Sequence, residues 1–240
     1  MKIFLRLSLI PLWMIFLAAC TRSASAPPTP DTVSTPLSTL GPAYPFPLAL
    51  SSTWVYEMTA HTEGQTARWR ITQTIVIVGG DNGLLTAEVE QTSQQTSAPG
   101  SEADQFFTPQ DGRFWYILDG QTLYRQNEKL DLEQRAAADI LLRWPPESVP
   151  CWCVTSADGC IEPADGEIGP GCRHQTRLES VHRTPAGEFS DCRELVRAYN
   201  NGAETISFCP NIGIVAERFQ HLGSDFGYEM NLIGYSLPTP

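Results

Sequence analysis

Between residues 85 and 90 apolar and polar side chains alternate with a period of two, a pattern that leaves few folds open. Leu85, Ala87 and Val89 fall on one side of an extended chain and Thr86, Glu88 and Glu90 on the other, as in a half-buried strand. Upstream, 68–78 is rich in β-branched residues, and Gly79-Gly80-Asp81-Asn82-Gly83 supplies residues that tolerate a turn. Together they read as a hairpin. A second hairpin joins 113–118 to 121–124 through Asp119-Gly120, and a third joins 192–198 to 203–208 around Asn200-Asn201-Gly202. Strands over 212–219 and 228–237 follow. Links this short between neighbours imply an antiparallel sheet. The spacing of Leu132, Ala136, Ala137, Ile140, Leu141 and Trp144 instead predicts an amphipathic helix over 131–144, with Asp131 and Gln134 as its cap and Pro145-Pro146 as its stop. One such helix among strands packs most simply on a face of the sheet.

The amino end is of another kind. Lys2 and Arg6 precede an apolar run over 7–16, and small residues lead to a cysteine in Leu17-Ala18-Ala19-Cys20. Basic start, short apolar middle and small residues are the layout of a secretory signal, and the cysteine at the cut resembles the lipobox of bacterial lipoproteins. The resemblance implies cleavage of residues 1–19 and acylation of Cys20, with the domain anchored to the cell membrane on its extracytoplasmic face. Residues 20–45 are Ser, Thr, Ala and Pro with few large apolar groups, a composition that gives an extended tether rather than a core. Residues 46–237 suit one β-rich domain.

Loss of 1–19 leaves 14 Lys+Arg against 27 Asp+Glu, a net charge of −13. Such a surface repels phosphate backbones, so nucleic acid is not an expected partner. With Cys20 acylated, six of the seven cysteines remain, an even number that reads as three disulfides in an oxidising compartment. A four-residue loop over 199–202 sets Cys192 opposite Cys209, within bonding range. Cys151, Cys153, Cys160 and Cys172 lie in a Cys-rich loop over 150–172. Either Cys151 bonds Cys160 and Cys153 bonds Cys172, or the pairs cross. The loop lacks paired Cys-x-x-Cys knuckles, and its acids Asp158, Glu162, Asp165 and Glu167 lack the order of a calcium loop, so no metal is expected.

Two stretches resemble a group of bacterial exported lipoproteins of largely uncharacterised function. One is Tyr44-Pro45-Phe46-Pro47-Leu48 with Thr53-Trp54-Val55-Tyr56-Glu57, where Ser51-Ser52 stand in place of that group's glycine. The other is Thr184-Pro185-Ala186-Gly187-Glu188-Phe189 with Gly213-Ile214-Val215. The resemblance implies a mainly β fold whose antiparallel sheet curls, or closes to a half-open barrel, around apolar contents. It carries no catalytic residue.

Nothing in the sequence marks a reaction centre. Gly-x-Ser-x-Gly, His-Glu-x-x-His and phosphate-cradling glycine motifs do not occur, and His61, His174, His182 and His221 are scattered. No catalytic residue, cofactor or enzymatic activity is expected. Trp54 and Tyr56 share one strand face, with Trp69 on the next strand and Trp115 in an aromatic triplet, and these four are the expected wall of a ligand groove. The expected role is a non-enzymatic binding or scaffold module of the cell envelope, with an unidentified envelope protein or apolar ligand as partner. The alternatives are a carrier of an apolar ligand in the sheet groove and an extracellular hydrolase with an unfamiliar site.

Overall fold

The computed structural model describes residues 46–81, 83–127, 140–144, 151–153, 171–178 and 180–238. The expected signal peptide, Cys20, the expected tether, Cys160 and most of the predicted helix lie outside the described residues.

The chain folds into one large antiparallel sheet. Its first half runs through β1 (Thr53–Thr62), β2 (Gln65–Asp81), β3 (Leu84–Gln95), β4 (Gly112–Asp119), β5 (Thr122–Gln126) and β6 (Ile140–Arg143), with a short helix α1 (Glu102–Phe107) between β3 and β4. The second half is β7 (Cys151–Cys153), β8 (Cys172–Arg177), β11 (Arg193–Tyr199), β12 (Gly202–Cys209), β13 (Gly213–His221) and β14 (Gly227–Ser236). A separate hairpin, β9 (His182–Thr184) with β10 (Gly187–Phe189), lies between β8 and β11 in sequence. The order across the sheet is β6-β5-β4-β3-β2-β1-β14-β13-β12-β11-β8-β7. Every step is between sequence neighbours except at the middle, where β1 pairs with β14, and near the far edge, where β8 pairs with β11.

The sheet curls without closing into a barrel. Register shifts at Val55/Tyr56, Ile75/Ile77, Leu123/Tyr124 and Ser207/Phe208 insert extra residues that bend the strands. Side chains then span the concave side. Trp54 Nε1 donates to the Ile212 carbonyl at 2.7 Å and the Tyr56 hydroxyl to the Ile214 carbonyl at 3.0 Å. The two edges approach through Gln175 Nε2, which donates to the Arg143 carbonyl at 3.1 Å, and through the Arg143 guanidinium, 6.0 Å from the Trp152 ring.

Cross-strand partners share a face, so the inner face can be read from the register. Trp54, Tyr56, Met58 and Ala60 on β1 lie opposite Gln73, Ile71, Trp69 and Ala67 on β2, and all eight are buried. Phe46 plugs this face, its ring 4.6 Å from Tyr116 and 5.9 Å from both Trp54 and Phe208.

Several expectations from the sequence need correction. Gly79 and Gly80 are not turn residues: they extend β2 and pair with Thr86 and Leu85 on β3. A β-carbon at Gly80 would make a tight contact, 3.1 Å from the Leu84 carbonyl. The end of the predicted helix is strand β6, because Ile140, Leu141 and Leu142 are all buried and the first and last of them pair with Tyr124 and Leu123. A run buried on both faces cannot be told from one helical side by spacing alone. The described helix lies elsewhere. In α1, Ser101 caps Asp104 and the Asp104 carboxylate answers to the Ser101 amide, a reciprocal box. Of the Cys-rich loop, Cys151–Cys153 is the edge strand β7 and Cys172 begins β8, while 154–170 lies outside the described residues.

Candidate functional site

The four aromatic residues expected to wall a groove are not brought together. Trp54, Tyr56 and Trp69 share the inner face, but each is 2% exposed and serves as core. Trp115 lies on the opposite face, paired with Glu88 and Gln126, because its neighbours Phe114 and Tyr116 take the inward positions.

Cys192 and Cys209 are disulfide-bonded with Cα atoms 4.1 Å apart, and Cys153 bonds Cys172 across the β7–β8 rung at 3.9 Å. Cys151 is also disulfide-bonded, to a partner outside the described residues. Among the described residues no group of three or more His, Cys, Asp or Glu side chains converges on a metal position. His174 sits on β8 opposite Cys151 and Val196, and His182 on β9. His221 Nδ1 lies 2.9 Å from the Ser224 hydroxyl, a local contact within a turn, with its ring against Phe226.

Two places remain that carry chemistry. The first is on the inner face, where the halves of the curled sheet look at each other. Arg125 on β5 pairs with Glu217 on β13 at 3.5 Å, 92 residues apart in sequence. Glu217 also accepts from the Tyr228 hydroxyl at 2.6 Å. Further round, Arg173 Nη2 contacts Glu204 at 3.2 Å, the Tyr199 hydroxyl lies 3.5 Å from the same carboxylate, and Arg197 lies 4.9 Å over the Tyr199 ring. Burial sets the protonation of this network. It raises the Glu204 carboxyl above its ordinary value, with Glu217 adding to the effect and Arg173 opposing it. Burial likewise pushes the Tyr116 hydroxyl up to about 12 against the pull of Arg125. For Arg125, burial disfavours the charge, but Tyr116, Glu217 and Glu204 outweigh it and hold the pKa above normal.

The alternation of the strands places the charges of this network among their buried apolar positions. Arg197 is in phase with Leu195, Glu204 with Ile206, and Glu217 with Val215 and Phe219. A charge at every second position among buried apolar residues points inward.

The second place is on the outer face, at the end formed by two hairpin tips. Gly227 lies between His61 on β1 and Gln220 on β13. It is one of the residues lining a depression of about 360 Å³ bounded also by Arg218, Glu229, Asp225 and Phe226. Around this end, α1 is tied to the β1–β2 tip by Gln65 Oε1, which accepts from the Glu102 amide at 2.8 Å. Phe106 and Phe107 pack on Phe226 at 5.2 and 4.5 Å, and Phe107 on Tyr228 at 5.7 Å. Phe106 and Leu222 nevertheless stay 62% and 67% exposed.

No family model and no curated protein matches the chain. Two solved structures align over 81% of this chain and 99% of their own. One is a protein of Bacteroides fragilis provisionally described as exported, with a YmcC-like fold, at TM-score 0.43 and 12% identity. The other is from Parabacteroides distasonis, provisionally described as a lipoprotein, at TM-score 0.44 and 10% identity. MucB aligns over 80% of this chain and 56% of its own at TM-score 0.30 and 9% identity. At these scores the likenesses bring no residue, ligand or activity to this chain.

Proposed function

We propose that this chain is a lipid-anchored protein of the bacterial envelope, tethered through Cys20, whose sheet domain is a non-enzymatic binding module meeting its partner at the hairpin end. The depression lined by Gly227 and Phe226, with exposed Phe106 packed on Phe226, is the observation that carries the binding role. Its volume is within the range of ordinary ligand sites, and large apolar side chains left exposed beside a pocket favour contact with a partner. The extracytoplasmic address is supported by Cys153–Cys172 and Cys192–Cys209, since disulfides persist in oxidising compartments. The address also draws on the residues before Cys20. An apolar ligand held inside the sheet is the weaker reading, because Phe46, Trp54 and Tyr116 pack on one another there and charges occupy much of the rest.

The test is made in cells. A photo-crosslinking residue at Leu222 or Phe106 captures a discrete partner, whereas the same residue at Glu57 on the outer face does not. Equal labelling from all three positions refutes the hairpin end as the contact. Fatty-acid labelling that survives Cys20→Ala refutes the anchor.

A further inference from the structure

The inner-face network is unbalanced in charge. Among the described residues it holds the guanidiniums of Arg125, Arg173 and Arg197 against the carboxylates of Glu204 and Glu217, an excess of one positive charge. The excess is concentrated on two strands. Arg197 and Arg173 are direct cross-strand partners of β11 and β8, and like charges set opposite each other destabilise a sheet. Glu204 ion-pairs with Arg173 at 3.2 Å and lies across the strand pair from Arg197. Arg197 stacks on Tyr199 and has no carboxylate within ion-pair reach among the described residues.

The hydrogen bonding is also incomplete. Arg173 is 8% exposed and its Nη1 is buried with no partner, as is Nε of Arg197. A buried guanidinium nitrogen without an acceptor is expensive, and two of them on facing side chains share one remedy. An oxyanion supplies the missing charge and the missing acceptors together, in the planar geometry that arginine prefers. The Arg125 side chain is 31% exposed and Arg197 and Tyr199 are half-buried, so the network meets solvent at its edges. The carboxylates do not bar this. Glu217 is engaged by Arg125 and Tyr228, and burial with the nearby Glu217 makes Glu204 reluctant to ionise, which weakens the repulsion an incoming anion meets.

We propose that the facing Arg173 and Arg197 side chains on the inner face form a binding site for an oxyanion, a carboxylate or phosphate group of a small ligand entering beside Arg125. The site is separate from the hairpin end and stands or falls independently of the lipid anchor. Both arginines bind the group directly, and Tyr199, stacked on Arg197 and in contact with Glu204, orients the pair.

Thermal unfolding of the detergent-solubilised full-length protein tests this with inorganic phosphate and acetate, each titrated at constant ionic strength. At least one of them raises the midpoint saturably, as ligand linkage requires, and the one that does so assigns the ligand as phosphate or carboxylate. Arg197→Gln weakens the apparent affinity about tenfold or more. Without added anion, Arg197→Gln melts no lower than the wild type, because a repulsive partner has been removed. Arg70→Gln, on the outer face, leaves the titration unchanged. Should Arg197→Gln fail to fold, Arg197→Lys is read instead, and it weakens binding because the planar fork is lost. A midpoint that responds to neither anion saturably, or an Arg197 variant that titrates like the wild type, overturns the site.

Discussion

At the scale of single residues, backbone conformation and protonation carry consequences that can be measured. Ser51 stands in the turn before β1 with φ at +67°, in the left-handed region. Its amide donates to the Ile75 carbonyl at 2.9 Å, and the Ile75 amide returns a bond to Ser52, so the turn is held in place. A β-carbon costs roughly 1 kcal/mol in that conformation. Ser51→Gly is therefore expected to stabilise the domain by about that amount, read as a rise in the denaturation midpoint; an unchanged or lower midpoint counts against strain at this turn. The motif at 44–57 already pointed to this position, because a glycine was the expected residue there. Tyr116 carries the second consequence. Unfolded, its hydroxyl ionises near the ordinary value of 10.0, whereas the buried group holds its proton to about 12. The folded state binds the extra proton between those values, so stability falls as pH rises through that window, by up to about 3 kcal/mol for a two-unit shift. Tyr116→Phe removes that share of the alkaline loss, and a pH profile indistinguishable from the wild type would exclude it.

At the scale of elements, turns and strands were legible where local chemistry decides them. The hairpin joining β11 to β12 has the register in which Ala198 faces Ala203 and Arg193 faces Phe208, readable from Asn200-Asn201-Gly202 and the alternation on either side. β6 was not legible, because its partner is chosen by tertiary contact: it pairs with Leu123 and Tyr124 on β5, and three buried residues in a row fit a strand as well as a helix. α1 was missed for the opposite reason. It is too short to show periodicity, and its one signal, Ser101 three residues before Asp104, is a cap without a helix-length pattern behind it. That cap is also a testable joint. Ser101→Ala is expected to cost about 1 kcal/mol and to loosen Phe107 from Tyr228, seen as faster amide exchange over 102–107. Unaltered exchange there would show that the helix is held by packing alone. A second prediction concerns the end of β13, which runs between two glycines. A β-carbon at Gly202 would lie 2.6 Å from the Gln220 carbonyl, and one at Gly227 2.4 Å from that of Phe219. Backbone cannot yield there cheaply, so Gly227→Ala should lower the melting midpoint clearly more than Gly234→Ala, whose added carbon meets nothing within 4 Å. Equal effects would remove close approach as the reason for the glycine.

At the scale of the whole molecule, the sheet is two meanders joined at their inner strands. The candidate sites follow this plan: the charged network bridges the two meanders from β5 to β13, and the outer depression lies where β1, β14 and β13 run side by side. The alternation marks the inward charges, but the pairing of Arg125 with Glu217 could not be read from sequence because 92 residues separate them, and the outer depression is walled by residues from separate strands and turns. Stability should be graded accordingly. Amide exchange is expected to be slowest in β1, β2 and β14 and to quicken towards β6 and β7, and reduction of Cys153–Cys172 should release β7 while leaving the centre protected. Uniform exchange across the sheet would argue against two meanders sharing a common middle. The pairing of β1 with β14 has an implication for how the molecule is made. A polypeptide synthesised amino end first delivers β1 long before the strand that will lie beside it. Until residues 227–236 emerge, β1 has only β2 for company, and the halves of the sheet have no seam along which to meet. Completion must therefore wait for the tail of the chain to be delivered, and the early portion has to be kept from clumping in the meantime.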